Sequence, residues 1–347
     1  MKKNTDSTLT QISKHLNLSI STVSRAINGQ SKKYRISEKT TKLIIEAAKK
    51  FKYEPNELAR SLRLKKSNTI GVIVPDITNP FFAVIVRWIE NAARLNDKTI
   101  FISDSNNDTE FEKIAIKAFS SRKIDGLIVA PVGDESFHLS ETNQLDIPIV
   151  IIDRHLDKLN LPFVGSNNYE GSKEATNYLI GKGHQKIAFN QGLQKSKLNL
   201  DRVRGYCDAL KENRITINHN LIVGENFNEQ SGYEAAKFLL SKNTCITAIF
   251  TASNQIALGT IKAIKEKKLH IPNDISLLSF DNQSYWDYFS PPITTVEQQT
   301  KKIADKAYNL LSEMINHNKI VGTSKIQLST KLIIRKSVKD KVRKAWT

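Results

Sequence analysis

The sequence predicts an α/β protein in two parts: a small all-α head with a helix-turn-helix, and behind it a larger bilobed domain of doubly wound sheets. Three observations predict this. Residues 8–51 read as three short amphipathic helices with no strand among them. From Thr69 onward, strand-length apolar runs alternate with helical periods, and the alternation comes as two successive series. Strands alternating with helices imply parallel sheets, and two series imply two lobes. At 347 residues the chain suits one small and one large unit. The expected divisions are residues 1–53 for the head, 54–67 for a connecting helix and linker, 68–336 for the bilobed domain and 337–347 for a tail.

The head is built around residues 8–28, TLTQISKHLNLSISTVSRAIN. Thr8 is expected to cap the first helix, with Gln11 three residues on reaching back to it, ahead of apolar Ile12 and Leu16. Asn17 ends that helix, because asparagine tolerates the left-handed backbone that a tight turn needs, and Ser19 caps the next. Val23 and Ile27, four apart, then face inward on Ile12 and Leu16. Ile20, Ser21, Ser24, Arg25 and Asn28 are left outside. Ser37 caps a third helix over residues 38–51, whose face Ile44, Ala47, Ala48 and Phe51 closes a miniature core.

An outer face of small, polar and basic residues suits a helix laid in the major groove of DNA. Two short helices joined by a turn are also common in all-helical proteins, and spacing alone leaves both readings open. Charge separates them. Between Met1 and Lys66 there are sixteen basic residues and five acidic ones, net +11 of the chain's +17. That concentration is the electrostatic footprint of a polyanionic partner.

The run LSISTVSRAIN, with Ser37-Glu38-Lys39-Thr40 opening the third helix and YEPNELARSLR after it, resembles the head of the lactose-repressor and galactose-repressor (LacI/GalR) family of bacterial transcription regulators. The similarity continues to the last strand. It departs from the lactose repressor between Asn28 and Ser37, where GQSKKYRI is a few residues longer. The resemblance implies that Thr8, Ser19, Ile20, Ser21, Thr22, Ser24, Arg25, Asn28, Tyr53, Asn56, Ala59 and Leu62 face DNA, with Ile20, Ser21 and Arg25 at base edges. It also implies that the Pro55 segment is a hinge helix ordered in the minor groove, where Leu62 wedges between base steps. A leucine among Arg60, Arg63, Lys65 and Lys66 makes physical sense there, since unstacking is offset by the added contacts of bent DNA. Taken without the resemblance, the segment reads as a solvated linker too short to hold a helix alone, its leucine packed on the next domain.

Beyond it, strands are expected at residues 69–74, 99–104, 126–130 and 147–153, with helices at 81–96 and 110–121 between them. The second series places helices at 175–182, 203–213, 233–241 and 256–267, strands at 186–191, 248–252 and 275–281, and a closing strand at 331–334. Ligands of open α/β sheets lie beyond the carboxyl ends of the strands. Those ends carry Asp76-Ile77-Thr78-Asn79-Pro80-Phe81-Phe82, Asp153-Arg154 and Asp281-Asn282.

This part resembles the periplasmic sugar-binding fold that the family shares, ribose-binding proteins in particular. The resemblance implies a cleft between lobes lined by Asn79, Phe81, Phe82, Asp153, Arg154, Arg202, Phe227, Asn254, Asp281 and Gln298. Aromatic faces cover the apolar side of a sugar ring, while carboxylates, guanidinium groups and amides fork onto paired hydroxyls. Singly, each residue has a plain structural alternative: Asp281 as a turn cap, Phe81 as core. Arg202 is chosen over Arg204 because the family arginine precedes a Gly-aromatic pair, here Gly205-Tyr206, by the same spacing. Many members read Asn-Asp where this chain reads Ser253-Asn254, which removes a charge from the expected pocket.

The expected function is a cytoplasmic, dimeric, DNA-binding transcriptional regulator, a repressor, whose affinity for a pseudo-palindromic double-stranded operator responds to a small effector, a sugar or sugar derivative. A dimer follows because one head reads half a site and a twofold pair reads a palindrome. No apolar run is long enough to cross a membrane, and the amino terminus lacks the apolar core of a secretory signal. Cys207 and Cys245, with no C-x-x-C and no His pair, are expected as buried thiols, with no metal site and no cofactor. No G-x-G-x-x-G, P-loop, G-x-S-x-G or H-E-x-x-H is present, so an enzyme is not expected. Rival readings are a solute-binding protein without regulatory role and a regulator driven by a protein corepressor. The basic residues from Arg335 to Lys344 read as a solvated tail rather than a second nucleic-acid contact, and no leucine heptads point to a coiled-coil tetramer.

Overall fold

Polar caps and left-handed residues decide where the helices of the head start and stop. The computed structural model describes residues 8–53, 66–133, 138–139, 147–156, 159–241, 245–317 and 324–342, in two compact units that part between Lys65 and Lys66. The expected hinge helix, with Asn56, Ala59 and Leu62, lies outside the described residues. Helices α1 (Thr8–Leu16), α2 (Ile20–Ile27) and α3 (Glu38–Lys50) form the head. Asn17 takes φ 51° in the turn. Ser19 and Ser37 accept hydrogen bonds from the amides of Thr22 and Thr40 at 3.1 Å, one orphan donor satisfied at each helix start. Thr8, expected as the cap of α1, is its first helical residue, so the cap position falls upstream of the described residues.

The head core is Ile12, Val23, Ala26, Ile44 and Ala47, with Leu16, Ile27, Ala48 and Phe51 packed on its rim. Ala26 therefore holds the central place expected of Ile27. Its small side chain lets α2 approach the other helices, while Ile27 fills the flank.

In the second unit, near-continuous apolar runs make strands buried on both faces, as parallel sheets require. Among the described residues each lobe holds one six-stranded sheet. The first joins β1 (Thr69–Val74), β2 (Thr99–Asp104), β3 (Gly126–Val129), β4 (Ile149–Ile152), β5 (Phe163–Ser166) and β11 (Lys325–Leu328) in the order β2-β1-β3-β4-β5-β11, parallel throughout. Helices α4 (Pro80–Arg94), α5 (Thr109–Ser121) and α10 (Thr300–His317) cover its faces.

The other lobe orders β6 (Ile187–Asn190), β7 (Ile222–Val223), β8 (Ala248–Thr251), β9 (Ser276–Phe280), β10 (Thr294–Glu297) and β12 (Lys331–Ile333) as β7-β6-β8-β9-β10-β12. Only β12 runs antiparallel, against β10, a departure from the purely parallel expectation that an edge position tolerates. Around it stand α6 (Asn168–Gly181), α7 (Lys197–Glu212), α8 (Glu229–Ser241) and α9 (Asn254–Glu266). Helices α8 and α9 pack backbone to backbone at Gly259, where a Cβ would strike the carbonyl of Glu229.

The lobes are not two consecutive stretches. The chain passes from β5 to α6, returns from β10 to α10, and passes again from β11 to β12, making three crossovers. Helix α10 belongs to the first lobe, packing Ile303, Ala304, Ala307, Tyr308, Leu311 and Met314 against β1, β3 and α4 residues. Two further expectations are corrected. Cys245 is exposed, because it precedes β8 instead of lying in it, whereas Cys207 on α7 is half-buried.

The described part of the expected free tail is bound to the second lobe. Ser337 is fully buried, donating to the Leu277 carbonyl at 2.6 Å and accepting from the Thr294 amide at 2.8 Å. The Arg335 guanidinium donates to Asp287, Asn282, Thr295 and the Ile293 carbonyl, and Lys182 pairs with Asp340 at 3.0 Å. Arg335 and Lys339, whose Nζ donates to the Asn273 carbonyl at 3.1 Å, are therefore held by acceptors of the lobe, which composition alone does not reveal.

Candidate functional site

Two separate surfaces collect chemistry-bearing side chains, one on each unit. On the head, the outer face of α2 is polar and exposed except for Ile20, a large apolar side chain 48% exposed. Ser19, Ser21 and Thr22 cluster their hydroxyls at its amino end, with Ser19 Oγ 2.8 Å from each of the other two. At the other end Asn28 closes the helix, donating to the Ser24 carbonyl at 2.6 Å, so both residues are half-buried and mutually engaged. Arg25 stands between these ends with its guanidinium carbon 3.9 Å from the ring centroid of Tyr34. Tyr34 was not among the expected residues; it comes from the loop after α2, outside any helical period. Tyr53 is half-buried against the head core.

In the second unit, a cavity of about 330 Å³ opens between the carboxyl ends of the two sheets. It is lined by nine of the ten expected residues: Asn79, Phe81, Phe82, Asp153, Arg154, Arg202, Phe227, Asp281 and Gln298. Asn254 sits one layer behind. Its backbone N–H donates to Asp281 Oδ2 at 3.2 Å, and its side-chain amide donates to Asn79 Oδ1 at 3.0 Å, a hydrogen bond from one lobe to the other. Asp76, Asn107, Thr109, Asn226, Asn228 and Ser253 also line the cavity and were not expected. All lie in loops or at helix starts, where only the rule about strand ends points to them.

Asp153 follows β4 and Asp281 follows β9, the fourth strand across each sheet, and both take left-handed backbone with φ of 60° and 72°. Such a backbone is uncommon for a non-glycine residue and aspartate tolerates it better than most. It turns each carboxylate off the strand end toward the cleft. Asn79 caps α4 by accepting from the Phe81 amide at 3.1 Å, with Pro80 at the first helical position, which fixes the Phe81–Phe82 edge-to-face pair at the rim. Phe227 reaches in over Gly192, where a Cβ would strike its ring.

Electrostatically the cavity is crowded. Arg202 is buried, its guanidinium stacked 3.7 Å from the Phe280 centroid, its Nε donating to Asn168 Oδ1 at 2.9 Å and an Nη to the Ala252 carbonyl. Arg204, by contrast, points to solvent and pairs with Asp201. Arg154 donates to Asn107 Oδ1 at 2.9 Å. Asp281 accepts from Gln298 Nε2 at 2.6 Å. Burial pushes the Asp153 carboxyl up to about 6, against the pull of Arg202 and Arg154 and with a further push from Asp281. Burial likewise pulls Arg202 down, while Asp281 and Asp153 hold it up. Among the described residues no donor reaches the Asp153 carboxylate, and the buried acceptors Asn254 Oδ1 and Gln298 Oε1 have no hydrogen-bond partner.

Residues 8–56 match the bacterial regulatory proteins of the lacI family, and residues 176–338 match a periplasmic binding protein-like domain. The HTH-type transcriptional repressor PurR of Pasteurella multocida is 31% identical over 96% of this chain and 99% of its own length. The chain belongs to the lacI family. The ribose operon repressor of Halalkalibacterium halodurans is 30% identical over 96% of this chain and 97% of its own. The lac repressor dimer bound to operator and the anti-inducer ONPF shares the fold, with a TM-score of 0.82 and 24% identity, covering 94% of this chain and 98% of that one. As a lacI-family protein this chain is a DNA-binding transcriptional regulator with a small-molecule effector. No helix among the described residues is long and apolar enough to cross a membrane.

The raised Asp153 sets a pH dependence. An unfolded aspartate loses its proton near 3.8, whereas the folded one holds it to about 6, so the contribution is present in full below the lower value and is lost as pH rises through the upper one. Melting of the ligand-free regulator between pH 4 and 7 is expected to show wild type losing stability relative to Asp153→Asn. Parallel pH curves for the two proteins would show that Asp153 does not carry this proton.

Proposed function

We propose that this regulator is a cytoplasmic repressor that pairs as a homodimer on a pseudo-palindromic operator and answers to an uncharged, hydroxyl-rich sugar bound in its cleft. The observation that carries the ligand class is a pair of acceptors on cleft-lining residues with no protein donor, the Asp153 carboxylate and Gln298 Oε1. Arg154 and Arg202 each give two N–H groups to protein acceptors, so a ligand hydroxyl can accept from a guanidinium while donating to a carboxylate. A ligand that fits must bring donors, and a sugar ring brings several in fixed geometry beside apolar C–H faces for Phe81, Phe82 and Phe227. A sugar acid would add acceptors and negative charge next to two carboxylates. One relative's name, the ribose operon repressor, supports a sugar as well.

On the head, Ile20, Ser21 and Arg25 read base edges, the lysines around them hold phosphates, and Leu62 acts as the minor-groove wedge. Pairing is supported by exposed apolar side chains at the first lobe's edge, Phe101 on the edge strand with Phe111 and Ile114 on the neighbouring helix, and Ile102 on the strand's other face, Ile114 being 63% exposed. Monomeric proteins rarely leave such a patch uncovered. Sugar in the cleft changes the angle between lobes and thereby operator affinity, and operator changes sugar affinity by the same factor.

A thermal-shift series is expected to show that neutral sugars raise the melting point while sugar acids do not, and that Asp281→Ala loses the shift but keeps DNA binding. A response confined to acids would sink the ligand class. For Arg25→Ala, about 1–3 kcal/mol of operator affinity should go, with relaxed preference at one base pair; equal loss on random duplex would remove its base-reading role. Sedimentation of Ile114→Glu should move the dimer toward monomer, and an unchanged dimer would place the pairing surface elsewhere.

A further inference from the structure

The loop between α2 and α3 is tied into one shape by its own hydrogen bonds. Its residues close on themselves: the Tyr34 amide donates to the Gln30 carbonyl at 3.1 Å, and the Ile36 amide to the Ser31 carbonyl at 2.9 Å. Thr41 Oγ1, in the first turn of α3, donates to Ser31 Oγ at 2.8 Å, and Ile36 packs on the head core. Arg35 takes the left-handed φ of 53° that the reversal needs. These constraints hold the Tyr34 ring over Arg25, with the guanidinium carbon 3.9 Å from its centroid, while the ring stays 41% exposed. Lys33 Nζ lies 5.8 Å from the same ring.

We propose that Tyr34 is a positioning residue for base recognition, stacking on one face of the Arg25 guanidinium so that its in-plane N–H edge is presented to a base before DNA arrives. This rests on the reading of Arg25 as the base-contacting side chain. Among the described residues that edge makes no hydrogen bond or ion pair of its own. A stacked guanidinium keeps all five in-plane donors free for the bidentate pattern that guanine presents through O6 and N7. An unsupported arginine at the end of a short helix samples many rotamers, and holding one in advance lowers the ordering cost of the complex. The consequence is specificity: a ring over the guanidinium favours the one base that matches the held fork, and leaves phosphate contacts untouched.

The test uses the full chain and a duplex selected by the wild-type protein from a randomised pool. Arg25→Ala first identifies the base pair at which discrimination is lost. At that pair, Tyr34→Ala and Tyr34→Leu are expected to cut discrimination about twofold to fivefold, the size of an exposed cation–π contact. Affinity for random duplex should stay unchanged. Tyr34→Phe should behave as wild type, and Tyr34→Leu in the Arg25→Ala background should have no further effect. Tyr34→Leu keeps most of the bulk, so the comparison survives if Tyr34→Ala destabilises the head. Equal losses on selected and random duplex, additivity with Arg25→Ala, or a loss in Tyr34→Phe that assigns the effect to the hydroxyl would each overturn the proposal. Should Arg25→Ala itself show no base preference, the reading of Arg25 fails and the role of Tyr34 falls with it. Discrimination lost in Arg25→Ala but kept in both Tyr34→Ala and Tyr34→Leu refutes Tyr34 alone.

Discussion

Four charged side chains meet away from bulk water in the cleft, and the architecture of the second unit serves to hold them there. Asp153 and Arg154 come from the first lobe, Arg202 and Asp281 from the second. Opposite charges offset one another there, which is what allows several ionised groups in one place. Their hydrogen bonds do not balance. The arginines spend donors on Asn107, Asn168 and the Ala252 carbonyl, and the Phe280 face takes one side of Arg202. Asp153 is left with attraction at a distance and no donor, which is why burial dominates its proton affinity. Hydrophobic packing closes both sheets; this mismatch of donors and acceptors is what makes the space between them selective.

The mismatch is aimed by the backbone. Parallel strands deliver their carboxyl ends to one edge of each sheet, so loops from the two lobes face each other across the cleft. At the matching fourth strand of both sheets an aspartate leaves in the left-handed conformation, a strain on the order of 1 kcal/mol or more that persists only where the surroundings hold it. Around Asp281 the holders are visible: its carbonyl accepts from Trp286 Nε1 at 3.0 Å, and its carboxylate from Gln298 and the Asn254 amide. Asn254, uncharged, supports Asp281 and is tethered to Asn79 behind the cleft wall.

Much of this was legible in the sequence because burial on both faces leaves an unmistakable apolar run, as in Thr69–Val74 or Ile149–Ile152. Helix starts were read late, by several residues for α6 and α7, because their first turns are polar and begin from Asn167 and Ser196 caps instead of apolar positions. Strands β5, β7, β10 and β11 escaped: Phe163–Ser166 contains a glycine, Ile222–Val223 is only two residues long, Thr294–Glu297 is half threonine, and Lys325–Leu328 alternates as an edge. Helix α10 carried a plain three-and-four repeat, Ile303, Ala304, Ala307, Tyr308, Leu311 and Met314, so its periodicity was there to be read. Its membership in the first lobe was not, because crossing between lobes is a tertiary fact. Nine cleft residues could be named from strand ends and resemblance, while Asn226 and Asn228 come from an irregular loop and Tyr34 from the loop after α2, where periodicity says nothing.

The crossovers explain how contacts at the cleft can be felt as a change in lobe angle. Residues 166–168, 297–300 and 328–331 are bonded to one another: the Asn167 amide donates to the Leu328 carbonyl at 2.8 Å, and Gln299 Nε2 to the Ser329 carbonyl at 2.7 Å. They are therefore joined side by side. Gln298, inside the middle crossover, lines the cleft and donates to Asp281, so a ligand on either residue touches a crossover directly. The energies are commensurate. Allosteric coupling is worth about 1–3 kcal/mol, and a hydrogen bond to a charged acceptor about 1.5–3 kcal/mol. A ligand whose one or two donors met Asp153 and Asp281 together only at one lobe angle would supply enough differential binding to shift the equilibrium, whereas a ligand held by one lobe alone, however tightly, would shift nothing.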